Sequence, residues 1–416
     1  MDGARTVQVD LDANDAHMVE VIRLIEQRCL QNSIWKKKSL RARYYYGIIF
    51  WAINLLAWFI RDYGEHISVI LNYSKACKVE QTDCSRKMGV LRVSIGCFIY
   101  FFIMFLSTSN TSKLMEARNG WHSGRWPLKL FILLVSVMLP FFIPSNYIHL
   151  YGEVARIGAG VFLILQLISV IEFITWWNSY WMPDETKQSI CSIGMFMSMP
   201  FYVGSTCGII AMYPMYVSNR SCLLNIFFIS WTAILFVVMM VVSLHSKVNR
   251  GLLSTGIMAS YLVFLCWSAI RSEPASEKCS PQSQQNGQGS WTTVIGFLIA
   301  ICAIVMATFS TGIDSKTFQF RKDEVQQEDD IPYHYGFFHL VFSLGSMYFA
   351  MLFIGWDLDG YLKKWSIDVG WASTWVKILN EWFAASIYLW KLISPVLRQR
   401  KVMNVEQHVE EDESSS

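Results

Sequence analysis

The stretch GEVARIGAGVFLILQLISVIEFITWWNSYW, Gly152–Trp181, decides the fold. Its apolar residues run on without the alternation of a half-buried strand. As a helix of about 30 residues it would reach roughly 45 Å at 1.5 Å per residue. A hydrocarbon core is about 30 Å thick, so such a helix must tilt strongly or protrude. Two polar residues, Gln166 and Glu172, sit inside the apolar run.

Nine further runs of this kind flank it. The chain has 416 residues, of which 53% are hydrophobic and only 16% charged, with a mean hydropathy of +0.32. Soluble domains carry about 25% charge, so the composition excludes a soluble globular protein. A net charge of +3 spread along the chain leaves no electrostatic footprint for nucleic acid. In a bilayer every backbone N–H and C=O must be satisfied without water, which selects helices. The expected fold is all-α, a polytopic membrane protein with about ten transmembrane helices. The spans fall near residues 44–60, 91–108, 129–148, 155–180, 191–215, 223–245, 252–271, 292–311, 336–355 and 374–397. Residues 1–43 form an N-terminal segment, 44–397 the transmembrane domain, and 398–416 an acidic tail that reads as disordered. Met1–Asp15 is polar and acidic, with no basic region ahead of an apolar core, so targeting is expected to fall to the first span.

An even span count puts both termini on one side. Lys36–Lys38, Arg41, Arg43, Arg118, Arg125 and Arg398 are among the cations near helix ends on that side, and they outnumber those on the other. The positive-inside rule therefore makes the termini cytoplasmic. On the outer side lie two candidate disulfides, Cys77 with Cys84 and Cys222 with Cys279, and two glycosylation acceptors, Asn72 in NYS and Asn219 in NRS. Asn110, in NTS, falls on the inner side. The expected location is a membrane of the secretory pathway: endoplasmic reticulum, Golgi or plasma membrane.

Residues 16–30 space Met18, Val21, Ile22, Ile25 and Cys29 at helical intervals. This amphipathic helix either lies on the membrane surface or packs on the bundle. In the fifth span, Gly204 and Gly208 form a GxxxG spacing, and Pro200 and Pro214 could kink the helix.

Charges inside the spans are the candidate site. WASTWVKILNEWFAASIYLWKLISPVL, Trp371–Leu397, holds Lys377, Glu381 and Lys391. At 100° per residue these three and Tyr388 fall within an arc of roughly 80°. A charge at mid-bilayer costs about 2.5–3.5 kcal/mol on insertion scales, so it should face the protein interior or a wet cavity. Lys377 and Lys391 lie near opposite ends and could snorkel; Glu381 is too short and too deep. Lys377 and Glu381, four apart, could pair. His339, Ser343 and Ser346 share one face of the ninth span. Gln166, Glu172, His339, Lys377, Glu381 and Lys391 are thus the candidates for a polar groove, path or cavity.

Four passages resemble the serine incorporator family: ILQLISVIEFITWWNSYW (Ile164–Trp181), GLLSTGIMASYLVFLCWSAIRSEP (Gly251–Pro274), YHYGFFHLVFSLGSMYFAMLFIGW (Tyr333–Trp356) and Trp371–Leu397. The resemblance covers nearly all of Arg43–Leu397. It implies ten helices in two subdomains crossed by a long fourth helix, and cytoplasmic termini. It also implies a role in incorporating serine into phosphatidylserine and sphingolipids, in binding lipid, and in moving phospholipid between leaflets. The chain departs from the family pattern in its N-terminal segment, which is not Cys-rich, and in a short inner loop before the ninth span.

Two functions follow: a non-enzymatic lipid-handling protein, or a carrier or scaffold that binds serine or lipid-synthesis enzymes. An enzyme fits less well, since no DGxxAR, HExxH, P-loop or GxSxG signature is present. No cofactor or metal is implied. The expected partners are membrane phospholipids, with sterols, sphingolipids and lipid-synthesis enzymes as further candidates.

The topology predicts that an endoglycosidase shifts the wild-type band and that Asn72→Gln removes part of the shift. Asn110→Gln leaves it unchanged; a glycan on Asn110 overturns the orientation.

Overall fold

The computed structural model describes residues 2–64, 82–181, 188–217, 222–245, 252–274, 291–313, 330–358 and 367–414. The helices, in chain order, are α1 (Asp2–Tyr63), α2 (Thr82–Thr108), α3 (Ala117–Ser123), α4 (Trp126–Met138), α5 (Ser145–Trp181), α6 (Gln188–Tyr216), α7 (Leu223–Leu244), α8 (Leu252–Arg271), α9 (Trp291–Ile313), α10 (Tyr335–Ile354) and α11 (Trp371–Ser414). One isolated β-bridge joins Lys113 to Asp330. Among the described residues five helices are long and apolar enough to cross a membrane: Ser85–Thr108, Ser145–Trp181, Leu223–Leu244, Leu252–Arg271 and Tyr335–Ile354. A sixth arises if Ala117–Ser123 and Trp126–Phe142, bent by 69°, count as one span. The runs 44–60, 191–215, 292–311 and 374–397 are helical too, within α1, α6, α9 and α11.

Three sequence expectations need correction. The run 129–148 is not one helix. A 3-10 turn at Leu139–Phe142 follows α4, Ile143 is extended, and α5 begins at Ser145. Pro140 and Pro144 are the cause, because proline cannot donate and drives its predecessor to extended backbone. The Arg92 guanidinium caps the break by donating to the carbonyls of Pro140 and Ile143. As a result α5 has 37 residues. Second, the N-terminal amphipathic segment is not a separate helix; it runs into the first span within α1, with Met18, Ile22 and Ile25 exposed. Third, the acidic tail is helical to Ser414. No Gly or Pro follows Pro395, and Glu, Gln, Lys and Arg are good helix formers.

The chain divides into two compact units. The first comprises Met1–Ala57, Arg92–Pro144 and Ile301–Ser346. Its core is aromatic: Phe50 meets Phe342 at 4.9 Å and Phe101 at 5.8 Å, both edge to face, and Phe338 lies 4.5 Å from Phe342. Such contacts add to area burial because ring edges are positive and faces negative. Gly96 of α2 lets α4 approach; a Cβ there would sit 2.6 Å from the Ser136 carbonyl oxygen.

The second unit comprises Trp58–Leu91, Ser145–Ala300 and Met347–Ser416. Helix α8 lies at its centre, packed against α5, α6, α7 and α11. Its small residues Ser254, Gly256, Ala259, Ser260 and Ala269 let neighbouring backbones come close. Leu167 and Ile171 of α5, Met239 of α7, Met258 and Leu262 of α8, and Ala384 and Leu392 of α11 form one buried cluster. Helix α6 stays continuous through Pro200 and Pro214. Of its GxxxG pair, a Cβ at Gly208 would sit 3.0 Å from Val263, whereas a Cβ at Gly204 would meet nothing within 4 Å among the described residues.

Gly96→Leu is expected to lower the thermal midpoint of the purified protein, at a cost of about 1–3 kcal/mol for overpacking. Gly160→Leu, where an added Cβ meets nothing within 4 Å among the described residues, leaves the midpoint unchanged or raises it.

Candidate functional site

In the second unit, α11 presents its polar residues one after another to different neighbours. At one end Lys377 Nζ lies 2.7 Å from Asp368 Oδ2. It also donates to Ser272 Oγ at 2.5 Å and to the Ser268 carbonyl at 3.4 Å. Asp368 stands in the left-handed region, φ 57°, which aspartate tolerates better than most residues. Its amide donates to the Leu352 carbonyl at 2.8 Å, and the Gly370 amide donates to Ser272 O at 2.7 Å. The turn is thereby fastened to both α10 and the end of α8. Lys377 is therefore matched by Asp368, not by Glu381 as the four-residue spacing suggested.

Glu381 is 0% exposed. Thr232 of α7 donates to its Oε1 at 2.7 Å, while Oε2 has no hydrogen-bond partner among the described residues. Two turns on, the Tyr388 hydroxyl lies 3.0 Å from both Thr255 and Ser254 of α8. At the far end Lys391 pairs with Glu172 of α5 at 2.8 Å. This pair is open, with side chains 32% and 41% exposed, against 20% and 8% for Lys377 and Asp368. Around it Phe173, Trp176 and Trp390 are exposed. Gln166 is half-buried on α5, its Oε1 without a hydrogen-bond partner among the described residues.

His339 belongs to the first unit. Its Nε2 lies 3.1 Å from His122 Nδ1, and His122 Nε2 lies 2.9 Å from the Tyr333 hydroxyl. Tyr333 donates to the Ser39 carbonyl, so its oxygen must accept from His122. His122 Nδ1 then accepts from His339, whose own Nδ1 has no hydrogen-bond partner among the described residues. Lys129, fully buried beside them, donates to the His122 carbonyl at 2.8 Å and faces the rings of Tyr46, Trp121 and Trp126. Ser343 and Ser346 bond to backbone carbonyls of their own helix.

The six sequence candidates thus separate. Lys391 and Glu172 form a half-open ion pair. Lys377 and Glu381 share α11 but have different partners, and His339 lies in another unit. Sequence reasoning missed Asp368, because it sits in a loop and only its turn returns it to Lys377. It also missed Thr232, Ser272 and Thr255, since neutral hydroxyls carry no signal until a charge is opposite them. Asn72, Cys77, Asn219 and Cys279 lie outside the described residues, as does the side chain of Cys84. Cys222 precedes α7 and is not among the free cysteines. Neither cysteine pairing is therefore described.

A bundle of apolar helices with matched charges on a shared polar column defines an integral membrane protein. A sequence profile described as serine incorporator matches residues 21–331 and 314–401, and the chain belongs to that family. It is similar to a probable serine incorporator of Monosiga brevicollis, 24% identical over 86% of this chain and 90% of the relative. It is also similar to serine incorporator 3 of Bos taurus, 23% identical over 75% and 79%, and to serine incorporator 5 of Danio rerio, 23% identical over 87% and 92%.

Removing one member of a buried pair strands the other, at a cost of about 3–5 kcal/mol. Lys377→Met is accordingly expected to lower the thermal midpoint sharply. Adding Asp368→Asn, which keeps the turn but removes the stranded charge, should restore most of the loss. A double variant no better than Lys377→Met overturns this assignment.

Proposed function

We propose that the chain is a non-enzymatic membrane protein that binds phospholipids and moves them between leaflets along the face of the second unit. The observation that carries this reading is the half-open Lys391–Glu172 pair within apolar helices. A half-open ion pair keeps donor and acceptor positions that its partner does not fill, and a group of complementary charge can take them. A zwitterionic headgroup is such a species: its phosphate can take Lys391 while its ammonium takes Glu172. The exchange conserves charge pairing, so no charge is stranded as the headgroup enters. Lys377 with Asp368 offers a second, less open station of the same kind. Glu381, enclosed and bonded to Thr232, is a structural residue of the column in this reading.

Ten spans, the diagonal course of α5, cytoplasmic termini, the two outer disulfides and residence in the secretory pathway complete the proposal. Sphingolipids and sterols are further candidate ligands. A second reading, a serine carrier or a scaffold for lipid-synthesis enzymes, is favoured by the name the relatives share. Binding of free serine by the purified protein distinguishes it.

The test uses liposomes with fluorescent phospholipid in both leaflets and a membrane-impermeant quencher. Wild type should expose the inner-leaflet lipid. Glu172→Leu and Lys391→Leu should slow that exposure at least ten-fold, a loss of about 1.4 kcal/mol of transition-state stabilisation. The exchanged pair Glu172→Lys with Lys391→Glu should retain it, and Glu381→Leu should stay within about two-fold. Wild type behaving like empty liposomes rejects lipid movement.

A further inference from the structure

The end of the first unit that carries the N-terminal helix gathers cations from two distant parts of the chain. In α1, Lys36, Lys37, Lys38 and Arg41 are all exposed, and the first apolar run begins at residue 44. No acidic residue occurs between Glu26 and Asp62. In α3 and the turn after it, Arg118 and Arg125 are also exposed. The sequence separates these two groups by some 80 positions. The fold joins them through the residue next to each group.

Ser39 Oγ donates to Asn119 Oδ1 at 2.7 Å. The Tyr335 hydroxyl sits against both, 2.8 Å from Ser39 Oγ and 2.9 Å from Asn119 Oδ1. Ser39 and Asn119 are fully buried. Lys38 and Arg118, one residue before each, are turned about 100° away on their helices, which puts them on the outside of the same joint. Arg125 has φ 55°, and this left-handed residue makes the turn from α3 into α4, leaving its own side chain exposed. The bend between α3 and the helix that follows is 69°. If α4 enters the membrane, α3 runs close to its surface.

We propose that Lys36, Lys37, Lys38, Arg41, Arg118 and Arg125 form one binding surface for multiply charged anionic phospholipid headgroups, of the phosphoinositide class, in the leaflet on the N-terminal side. Clusters of four to eight Lys and Arg beside a membrane helix have the charge density that such headgroups match. Membrane lipid is the occupant, rather than a soluble acidic partner, because exposed apolar side chains flank the cations. Tyr44 and Tyr45 follow Arg41 and Arg43, and Met115 and Leu128 flank Arg118 and Arg125. Aromatic and aliphatic side chains of this kind sit at headgroup depth. Glu116, two residues before Arg118, interacts with that guanidinium and offsets one charge, which leaves the six-cation surface strongly positive. Its Oε1 accepts from the Ser112 amide and hydroxyl and from the Lys113 amide.

The test titrates the purified full-length chain in detergent with a fluorescent short-chain phosphatidylinositol bisphosphate, read by anisotropy, beside a matched phosphatidylcholine probe. Wild type should bind the anionic probe at least ten-fold more tightly, and the advantage should shrink as salt is raised. The triple variant Lys36→Gln/Lys37→Gln/Lys38→Gln and the double variant Arg118→Gln/Arg125→Gln should each weaken it at least ten-fold, on a scale of about five-fold per cation. Lys→Arg at the first three positions should preserve binding, which separates charge from folding. Equal affinity for the two probes overturns the proposal. So does a loss confined to one of the two variants, because the surface is then not composite.

Discussion

The Glu381 carboxylate has no exposed surface, and one hydroxyl, that of Thr232, donates to it. In water such a group would be solvated from all sides; inside a bundle of apolar helices it must be met by the protein or not at all. That constraint governs the second unit. Asp368 and Ser272 meet Lys377, Ser254 and Thr255 meet Tyr388, and Glu172 meets Lys391. Each contact comes from a different helix or turn. A helix that must satisfy four partners at fixed heights cannot slide or rotate without stranding a polar group. Apolar packing alone, which is nearly indifferent to register in lipid, would not supply this specificity.

The first unit meets the same constraint with different chemistry. His122, His339, Tyr333 and Ser39 pass donors and acceptors along a chain of neutral groups that ends at His339 Nδ1. Lys129 is held by a carbonyl and three aromatic rings. Cation–π contact suits a desolvated ammonium because the ring face is negative yet needs no counter-ion. The contrast bears on function. The one cation of this cluster, Lys129, is fully enclosed, whereas the Lys391–Glu172 pair on which the proposed function rests is half open. Of the charged sites described in the spans, Lys391 with Glu172 is the more open to its surroundings.

Particular residues show how much of this was legible beforehand. The helical spans and the charged stripe on α11 could be read directly, because apolar run length and 100° spacing are local properties. The same logic failed at Pro140, where two prolines four apart broke a run that hydropathy averaged over. It failed again at residues 16–30, where a helix expected to stand apart continues into α1. Pairing Lys377 with Glu381 was a reasonable local guess. It was wrong because a left-handed turn returned Asp368 to the lysine, and no spacing rule encodes that return.

By itself, the sequence determined that this chain is helical and membrane-embedded, and which helix faces are polar, since both follow from transfer free energy and helical periodicity. Only the tertiary structure decided which polar groups meet. His339 was brought to His122, Lys391 was joined to Glu172, and two basic segments were brought to one joint at Ser39 and Asn119. The physical reason is that a polar side chain advertises its need for a partner in one dimension, while the partner is chosen by the packing of helices far apart in the chain.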